Sequence, residues 1–258
     1  MSATQGAVDA RNARFWDELC GSALARQLGI EAASADSLRR FDDAYMGLYP
    51  YLEGYLDGPE LAGRDVLEVG LGYGTLSGRL AELGAELHGL DIAAGPVEMV
   101  RHRLRLMGQP ADERIVQGSA LQMPFADASF DRVYSIGCLH HTGDPARAVG
   151  EVHRVLRPGG RAVVMLYNRH SFRFLVRNLL RRKSDEELRG DYDSNAAGDA
   201  APHTDYVTPR QARALFGRFA RVRIDRRNFD NLPYVPRRHL LGNVDRLLGL
   251  DLYIVADR

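Results

Sequence analysis

Two acids and three glycines near the end of the chain's first third have the types and spacing of a ligand site. They lie in Val66-Leu67-Glu68-Val69-Gly70-Leu71-Gly72-Tyr73-Gly74, and a second acid, Asp91, follows twenty-one residues after Gly70. Glycines at alternate positions let the chain turn tightly and let a ligand reach the backbone where a Cβ would collide. A buried carboxylate is costly unless paired or hydrogen-bonded. Glu68 is therefore either satisfied by nearby backbone donors or held for a cationic ligand. Asp91 stands at the distance from a glycine turn at which an acid receives ribose hydroxyls. A third group, His140 and His141, lies in Gly137-Cys138-Leu139-His140-His141-Thr142-Gly143, and histidine titrates near neutrality, as a general base must.

The elements around these residues predict how they are positioned. Val66, Leu67 and Val69 read as a buried strand over Asp65–Val69, and Thr75 to Leu83 has helical spacing. Strand, glycine turn and helix form the ligand corner of a doubly wound α/β sheet. A second strand is expected over Glu86–Asp91, a helix over Val97–Met107, and a short strand over Arg114–Gln117. A loop follows from Gly118 to Ser129, then a fourth strand over Arg132–Ile136. Asp144-Pro145 caps and starts a helix, which Pro158-Gly159-Gly160 ends before a fifth strand over Arg161–Tyr167.

Before the sheet, Asn12 to Leu19 reads as a helix with an aromatic face. Ser37 to Tyr55 reads as a second helical region that Pro50 interrupts. After the sheet's fifth strand, Ser171 to Lys183 has Phe172, Leu175, Val176, Leu179 and Leu180 on one helical face and Arg173, Arg177 and Arg181 on the other. It reads as a lid with its arginines in water, in preference to a membrane-surface helix, since a short helix without Trp anchors weakly. Ser184 to Pro202 lacks periodicity and reads as mobile. A helix from Thr208-Pro209 to Phe219, a strand over Ala220–Phe229, an irregular helical insertion over Leu232–Leu250 and a last strand over Leu252–Ala256 complete the expectation.

Taken together, glycine turn, Asp91, Gly118-Ser119-Ala120, Phe130 to Ser135 and Leu156-Arg157-Pro158-Gly159-Gly160 resemble, in order and spacing, the motifs of class I S-adenosylmethionine-dependent methyltransferases over residues 60 to 167. Thr75 stands where a dinucleotide fold would place its third glycine, which opposes a nicotinamide cofactor. The resemblance implies a Rossmann-like sheet of seven mostly parallel strands with an antiparallel C-terminal strand, N-terminal helices, and a helical cap inserted after strand five. It divides the chain into an N-terminal helical cap (1–59), a cofactor-binding core (60–168), a lid (169–207) and the remainder of the core (208–258). It implies S-adenosylmethionine as cofactor, with S-adenosylhomocysteine as product. Glu68, Gly70, Gly72, Tyr73, Gly74, Asp91, Ile92, Ser119, Ala120 and Gly137 would bind it. In the family an acid follows the glycine of the adenine loop; here Ser119 stands there, and a hydroxyl is the weaker acceptor.

Methyl transfer is an in-line displacement in which the protein mainly aligns the reactants and excludes water. If the acceptor is a hydroxyl, a general base helps. One of the two histidines, His141 in preference to His140, is expected to deprotonate or orient the acceptor. The alternative is that the pair orders its loop or meets the cofactor through water. Trp16, Tyr45, Tyr49, Asn168 and Tyr206 are the expected acceptor-side residues. They could equally be packing residues, since aromatics dominate cores and sites alike.

The chain has 34 basic and 34 acidic residues, two cysteines and 45% hydrophobic residues. Zero net charge and the lack of a proline–aromatic tetrapeptide after strand four oppose nucleic-acid methylation. The last third, residues 169–258, is mildly basic, which allows an anionic substrate or surface. Two distant cysteines give neither a disulfide framework nor a metal site. No N-terminal signal or membrane-length apolar run is present, so a cytoplasmic protein without stable membrane insertion is expected. The reading is a methyltransferase acting on a small molecule, in specialised metabolism, with homodimerisation left open. Two alternatives use the same motifs: an enzyme that moves or cyclises the aminocarboxypropyl chain, and a non-catalytic binder of the cofactor.

Overall fold

Successive residues of a strand face opposite sides, and the first strand, β1 (Asp65–Val69), shows what this does here. Leu67 and Val69 enter one core and Val66 the other. In the computed structural model, residues 5–181, 187, 189–190, 193–229, 242 and 244–258 are described, the side chains of 177–181 excepted.

Three helices precede β1: α1 (Gln5–Phe15), α2 (Ser22–Gln27) and α3 (Ala35–Leu48). The first expected helix therefore begins earlier and ends at Phe15, with Trp16 just beyond. The Asp17 carboxylate accepts from the Gly95 amide at 2.8 Å, so a tertiary tether bends the chain where periodicity alone suggested more helix. The second region breaks near Pro50 as expected, giving α3 and then a 3₁₀ turn over Leu52–Tyr55.

The central units follow as β1, α4 (Thr75–Glu82), β2 (Glu86–Asp91), α5 (Ala94–Leu106), β3 (Ile115–Gln117), β4 (Phe130–Ile136), α6 (Pro145–Val155) and β5 (Leu156–Asn168). β5 begins earlier than expected. Leu156 already pairs with Phe130, and the register jumps to Arg161 opposite Arg132, so Arg157 to Gly160 form an irregularity inside the strand and not a separate turn.

Beyond β5 lie α7 (Phe172–Arg181), β6 (Tyr206–Val207), α8 (Pro209–Leu215), β7 (Arg221–Arg227), α9 (Asp245–Leu248) and β8 (Asp251–Asp257). Thr208 caps α8 through a reciprocal box with Gln211. Of the expected insertion over Leu232–Leu250, residues 232–241 and 243 lie outside the described residues. Of the expected mobile stretch, 193–202 form a hydrogen-bonded turn in which the Ala201 amide donates to the Asp193 carbonyl at 2.9 Å; residues 184–186, 188, 191 and 192 lie outside those described.

The sheet runs in the order β3-β2-β1-β4-β5-β8-β7, with β6 beside β5. β8 is antiparallel to both neighbours, and the other pairings are parallel. This is the doubly wound, Rossmann-like α/β sheet expected, with two-residue β6 as an eighth strand. One core lies between the sheet and α6 and α8, around Val152, Val164, Phe216 and Ile254. The other lies toward α4 and α5, around Leu80, Val100, Leu104 and Tyr253. The order reverses between β1 and β4, so the crevice for a ligand opens at their carboxyl ends.

Candidate active site

A cavity of about 680 Å³ occupies that crevice. Its floor is the turn between β1 and α4. Gly70, Gly72 and Gly74 have φ of 85°, 53° and 80°, where L side chains are strained. At Gly70 a Cβ would also lie 2.3 Å from Cys138 Cβ. The turn is clamped from behind: Arg103 donates to the Tyr73 carbonyl at 2.7 Å and pairs with Asp42 of α3 at 2.8 Å. The Thr75 hydroxyl donates to the same Asp42 carboxylate at 2.7 Å. Arg103 and Asp42 were not read from the sequence, since a helical Arg and a helical Asp far apart signal nothing until the helices meet.

Two carboxylates flank the turn. Asp91 accepts from the Leu71 amide at 2.8 Å and the Ala93 amide at 2.9 Å, so it joins the ends of two adjacent strands. Burial pushes it up to about 6, opposed by those backbone donors. Glu68 is buried beneath the turn and accepts from the Ser77 hydroxyl. Burial raises it to about 8, against the opposing Ser77 bond. Glu68 is thus a buried carboxyl whose ionised form burial disfavours. The expectation that backbone donors might satisfy it gives way to a side-chain hydroxyl from α4.

Ile92, Ser119, Ala120 and Gly137 line the same cavity as Glu68, Asp91 and the glycine turn with Tyr73. Ser119 has a neighbour that sequence reasoning missed. Asp9 of α1 stands 3.3 Å from the Ser119 hydroxyl and also lines the cavity. A carboxylate therefore reaches the position after Gly118, where Ser119 stands. Its only sequence signal is an acid on an N-terminal helix whose docking the sequence does not announce. α1 is seated by Asn12, whose side chain donates to the His141 carbonyl at 2.7 Å, and by Gln5, which donates to the Thr142 carbonyl at 2.9 Å.

Trp16, Tyr45, Tyr49, Tyr167, Tyr253 and His141 also line the cavity. His141 is buried, and its ring lies 4.7 Å from that of Trp16. Its Nδ1 lies 2.8 Å from the His203 carbonyl oxygen. A carbonyl only accepts, so Nδ1 carries the proton and Nε2 holds the lone pair when the ring is neutral. Nε2 faces Asp193 Oδ2 at 3.7 Å, and Asp193 accepts from the Tyr167 hydroxyl at 3.0 Å. Burial lowers His141 while Asp193 and the His203 bond oppose, with a net shift downward. Burial raises Asp193. Tyr167 and Asp193 were also missed: the first looked like a strand end, the second lay in a stretch without periodicity.

The remaining sequence candidates sit elsewhere. His140 is fully buried, stacked between His141 and Tyr167 at 4.2 and 4.1 Å, and does not line the cavity. Burial drives it far below the usual imidazole range. Asn168 is buried and structural, donating to the Gly249 carbonyl at 2.8 Å and accepting from the His170 amide. Tyr206 packs behind Tyr167, with ring centroids 6.1 Å apart. α7 corrects the reading of its faces. Arg173 lines the cavity instead of facing water, and Leu175 is exposed; the side chains of Arg177, Leu179, Leu180 and Arg181 lie outside those described. Among the described residues no helix is long and apolar enough to cross a membrane.

The cavity fits a sulfonium nucleoside in its parts. It offers a turn that only glycine can form, an acid at a strand end for paired hydroxyls, an apolar slot at Ile92 and Ala120, and a buried carboxyl near the turn. Comparisons with known proteins point the same way. Residues 67–164 match the methyltransferase domain family. The chain is 36% identical over 104 residues to methyltransferase GfsG of Streptomyces halstedii, covering 40% of this chain and 37% of that one. It is 33% identical over 117 residues to the ubiquinone biosynthesis O-methyltransferase of Pseudomonas paraeruginosa, covering 45% and 49%. It is 34% identical over 115 residues to the demethylmenaquinone methyltransferase of Tropheryma whipplei, covering 45% and 46%. The aligned stretch thus spans less than half of these relatives. A solved S-adenosylmethionine-dependent methyltransferase from Mesorhizobium loti shares the fold at a TM-score of 0.57 and 20% identity, over 81% of this chain and 97% of that one. One from Aquifex aeolicus does so at 0.52 and 14%, over 88% and 99%. With its glycine turn, the strand-end acid Asp91 and the reversed sheet order, the stretch over residues 67–164 is a methyltransferase domain on a fold shared with solved S-adenosylmethionine-dependent methyltransferases.

Proposed function

We propose that this protein transfers a methyl group from S-adenosylmethionine to a hydroxyl of a small-molecule acceptor, with His141 as the base. The observation that carries this reading is the 2.8 Å contact of His141 Nδ1 with the His203 carbonyl oxygen. The His203 carbonyl holds Nδ1–H, which turns the Nε2 lone pair toward Asp193 within the cavity that the glycine turn also lines. Bound there, S-adenosylmethionine would supply an electrophilic methyl on a sulfonium centre.

The protein's own residues supply the rest. Glu68, Gly70, Gly72, Tyr73, Gly74, Asp91, Ile92, Ser119, Ala120 and Gly137 would hold the cofactor, Asp91 through the ribose hydroxyls. Asp9 would accept from the adenine amino group where Ser119 replaces the usual acid. His141 Nε2 would take the acceptor's proton as the oxygen attacks, and the nearby Asp193 carboxylate would stabilise the imidazolium that results. Trp16, Tyr45 and Tyr49 from the N-terminal cap would wall the acceptor off from water, with Arg173 and Asp193 from the lid closing the far side.

The deciding experiment is a product assay. The protein is incubated with S-adenosylmethionine and a panel of phenolic and aliphatic alcohols, and the nucleoside product is identified. S-adenosylhomocysteine with a methyl ether supports the reading. Methylthioadenosine would replace it with aminocarboxypropyl chemistry, and failure to bind S-adenosylhomocysteine at all would remove it.

A further inference from the structure

A second concavity, about 830 Å³, lies along β7 at the open edge of the sheet. Six arginines line it: Arg223, Arg226 and Arg227 from β7, Arg210 and Arg213 from α8, and Arg246 from α9. Asp225 is the one acid in the lining among the described residues. Three of the cations have small local duties. Arg213 donates to the Val222 carbonyl at 3.1 Å, Arg227 to the Tyr55 hydroxyl at 3.0 Å, and Arg223 pairs with Asp225 at 3.3 Å. Arg210, Arg226 and Arg246 have neither an ion pair nor a side-chain hydrogen bond among the described residues, and Arg226 Nε is buried without an acceptor.

Elsewhere in the fold, several arginines are neutralised. Arg154 pairs with Glu151, Arg157 with Asp65 and Asp131, and Arg161 with Asp57 and Asp257. Charged side chains on an edge strand also discourage strand-to-strand aggregation. That duty needs exposed charges on the strand itself. It does not account for three further arginines delivered by two helices into one groove, nor for a guanidinium nitrogen buried without a partner among the described residues. A buried donor without an acceptor is costly, and a bound anion would supply one.

We propose that this groove binds a small, multiply charged phosphate-bearing ligand of the di- or triphosphate class. Guanidinium forks match phosphate oxygens in pairs, and several must be engaged at once to offset this density of positive charge. The groove's volume is that of a small-molecule site. It is separate from the active-site cavity: the ring of Tyr55 stacks at 4.4 Å on Tyr253, whose other surroundings line that cavity, so a tyrosine layer divides the two. The proposal does not depend on the methyltransferase reading.

The test is calorimetric titration of the full chain with inorganic tripolyphosphate at about 0.15 M salt, where surface charge is well screened. Saturable binding is expected, weakened about tenfold or more by Arg226→Gln, the loss of a charged hydrogen bond. The exposed pair Arg210→Gln and Arg246→Gln, which leaves the buried position intact, should weaken it as well. Affinity for S-adenosylhomocysteine reports the fold and should stay constant in all variants. No saturable binding, equal binding by wild type and every variant, or binding of poly-glutamate with none of tripolyphosphate would each overturn the proposal.

Discussion

At one end of the cavity the key groups come from one unbroken run: Glu68, the three glycines and Asp91 lie within twenty-four residues and are placed by two adjacent parallel strands. At the other end, Trp16, His141, Tyr167, Asp193 and the His203 carbonyl come from five separate segments. The first end is held by backbone geometry, with Asp91 bonded to two main-chain amides and a side-chain clamp behind the turn. The second is held by side chains and by carbonyls of separate segments. Backbone geometry is set locally and tolerates few alternatives. A cluster drawn from distant segments can be rebuilt one residue at a time. The cofactor end is thus fixed by the strand–turn–helix corner itself, while the acceptor end is free to specialise on whatever the loops bring over it.

The sharpest way to break this comparison is His141→Gln. If the acceptor end performs proton transfer and nothing else depends on it, kcat falls by about 10²–10⁴ while S-adenosylhomocysteine affinity, measured by calorimetry, is unchanged. Because burial lowers His141, its neutral form persists below the ordinary value of 6.5. The kcat profile should therefore be flat at neutrality and fall only on acidification below that value. Asp193→Asn removes a group that opposes the lowering, so its acid limb should move further down. An unchanged kcat in His141→Gln would reduce the histidine to a loop-ordering role and leave the acceptor end without a base.

How much of this was legible in the sequence divides along the same line. β1, the glycine turn, β2 and Asp91 could be read because local patterns dictate them: a short apolar run, glycines at alternate positions and a fixed spacing between turn and acid. Even the break near Pro50 and the Asp144-Pro145 helix start followed from single residues. The faces of α7 could not, because Arg173 turns inward to a cavity that segments far apart in the chain assemble. Asp9 and Asp193 were invisible for the same reason: an acid on a surface-like helix and an acid in an aperiodic stretch acquire meaning only from what they touch. The true end of α1 was hidden by Asp17, whose partner is the Gly95 amide.

A middle-sized effect sharpens the boundary between the two ends. Asp9 belongs to α1, ahead of the sheet, yet stands beside Ser119. Asp9→Ala should weaken S-adenosylhomocysteine binding by about tenfold, the worth of one charge-assisted hydrogen bond. Adding Ser119→Asp to that variant should restore most of it, because the carboxylate returns from the neighbouring chain segment. Asp91→Ala should cost more than Asp9→Ala, since it also frees the Leu71 and Ala93 amides. If Asp9→Ala leaves the affinity unchanged, α1 serves the acceptor end alone and the division by segments is stricter than drawn here.

The smallest effect is a proton count. Glu68 is raised by burial to about 8 from the usual 4.5. In the free protein at pH 7 it is therefore mostly protonated. A cation placed against the turn favours the carboxylate and lowers that value. Binding of S-adenosylmethionine at pH 7 should then release up to one proton, read as a dependence of the calorimetric enthalpy on the buffer's ionisation heat. The sign is fixed: release grows as pH falls from 8 toward neutrality, because more Glu68 starts protonated, and vanishes above 8, where the group is already ionised. Glu68→Gln should abolish the buffer dependence, while Asp193→Asn at the far end should leave it intact. Were Asp193→Asn to remove it instead, the proton would belong to the side-chain cluster around His141, and the cation would be sensed at the acceptor end of the cavity.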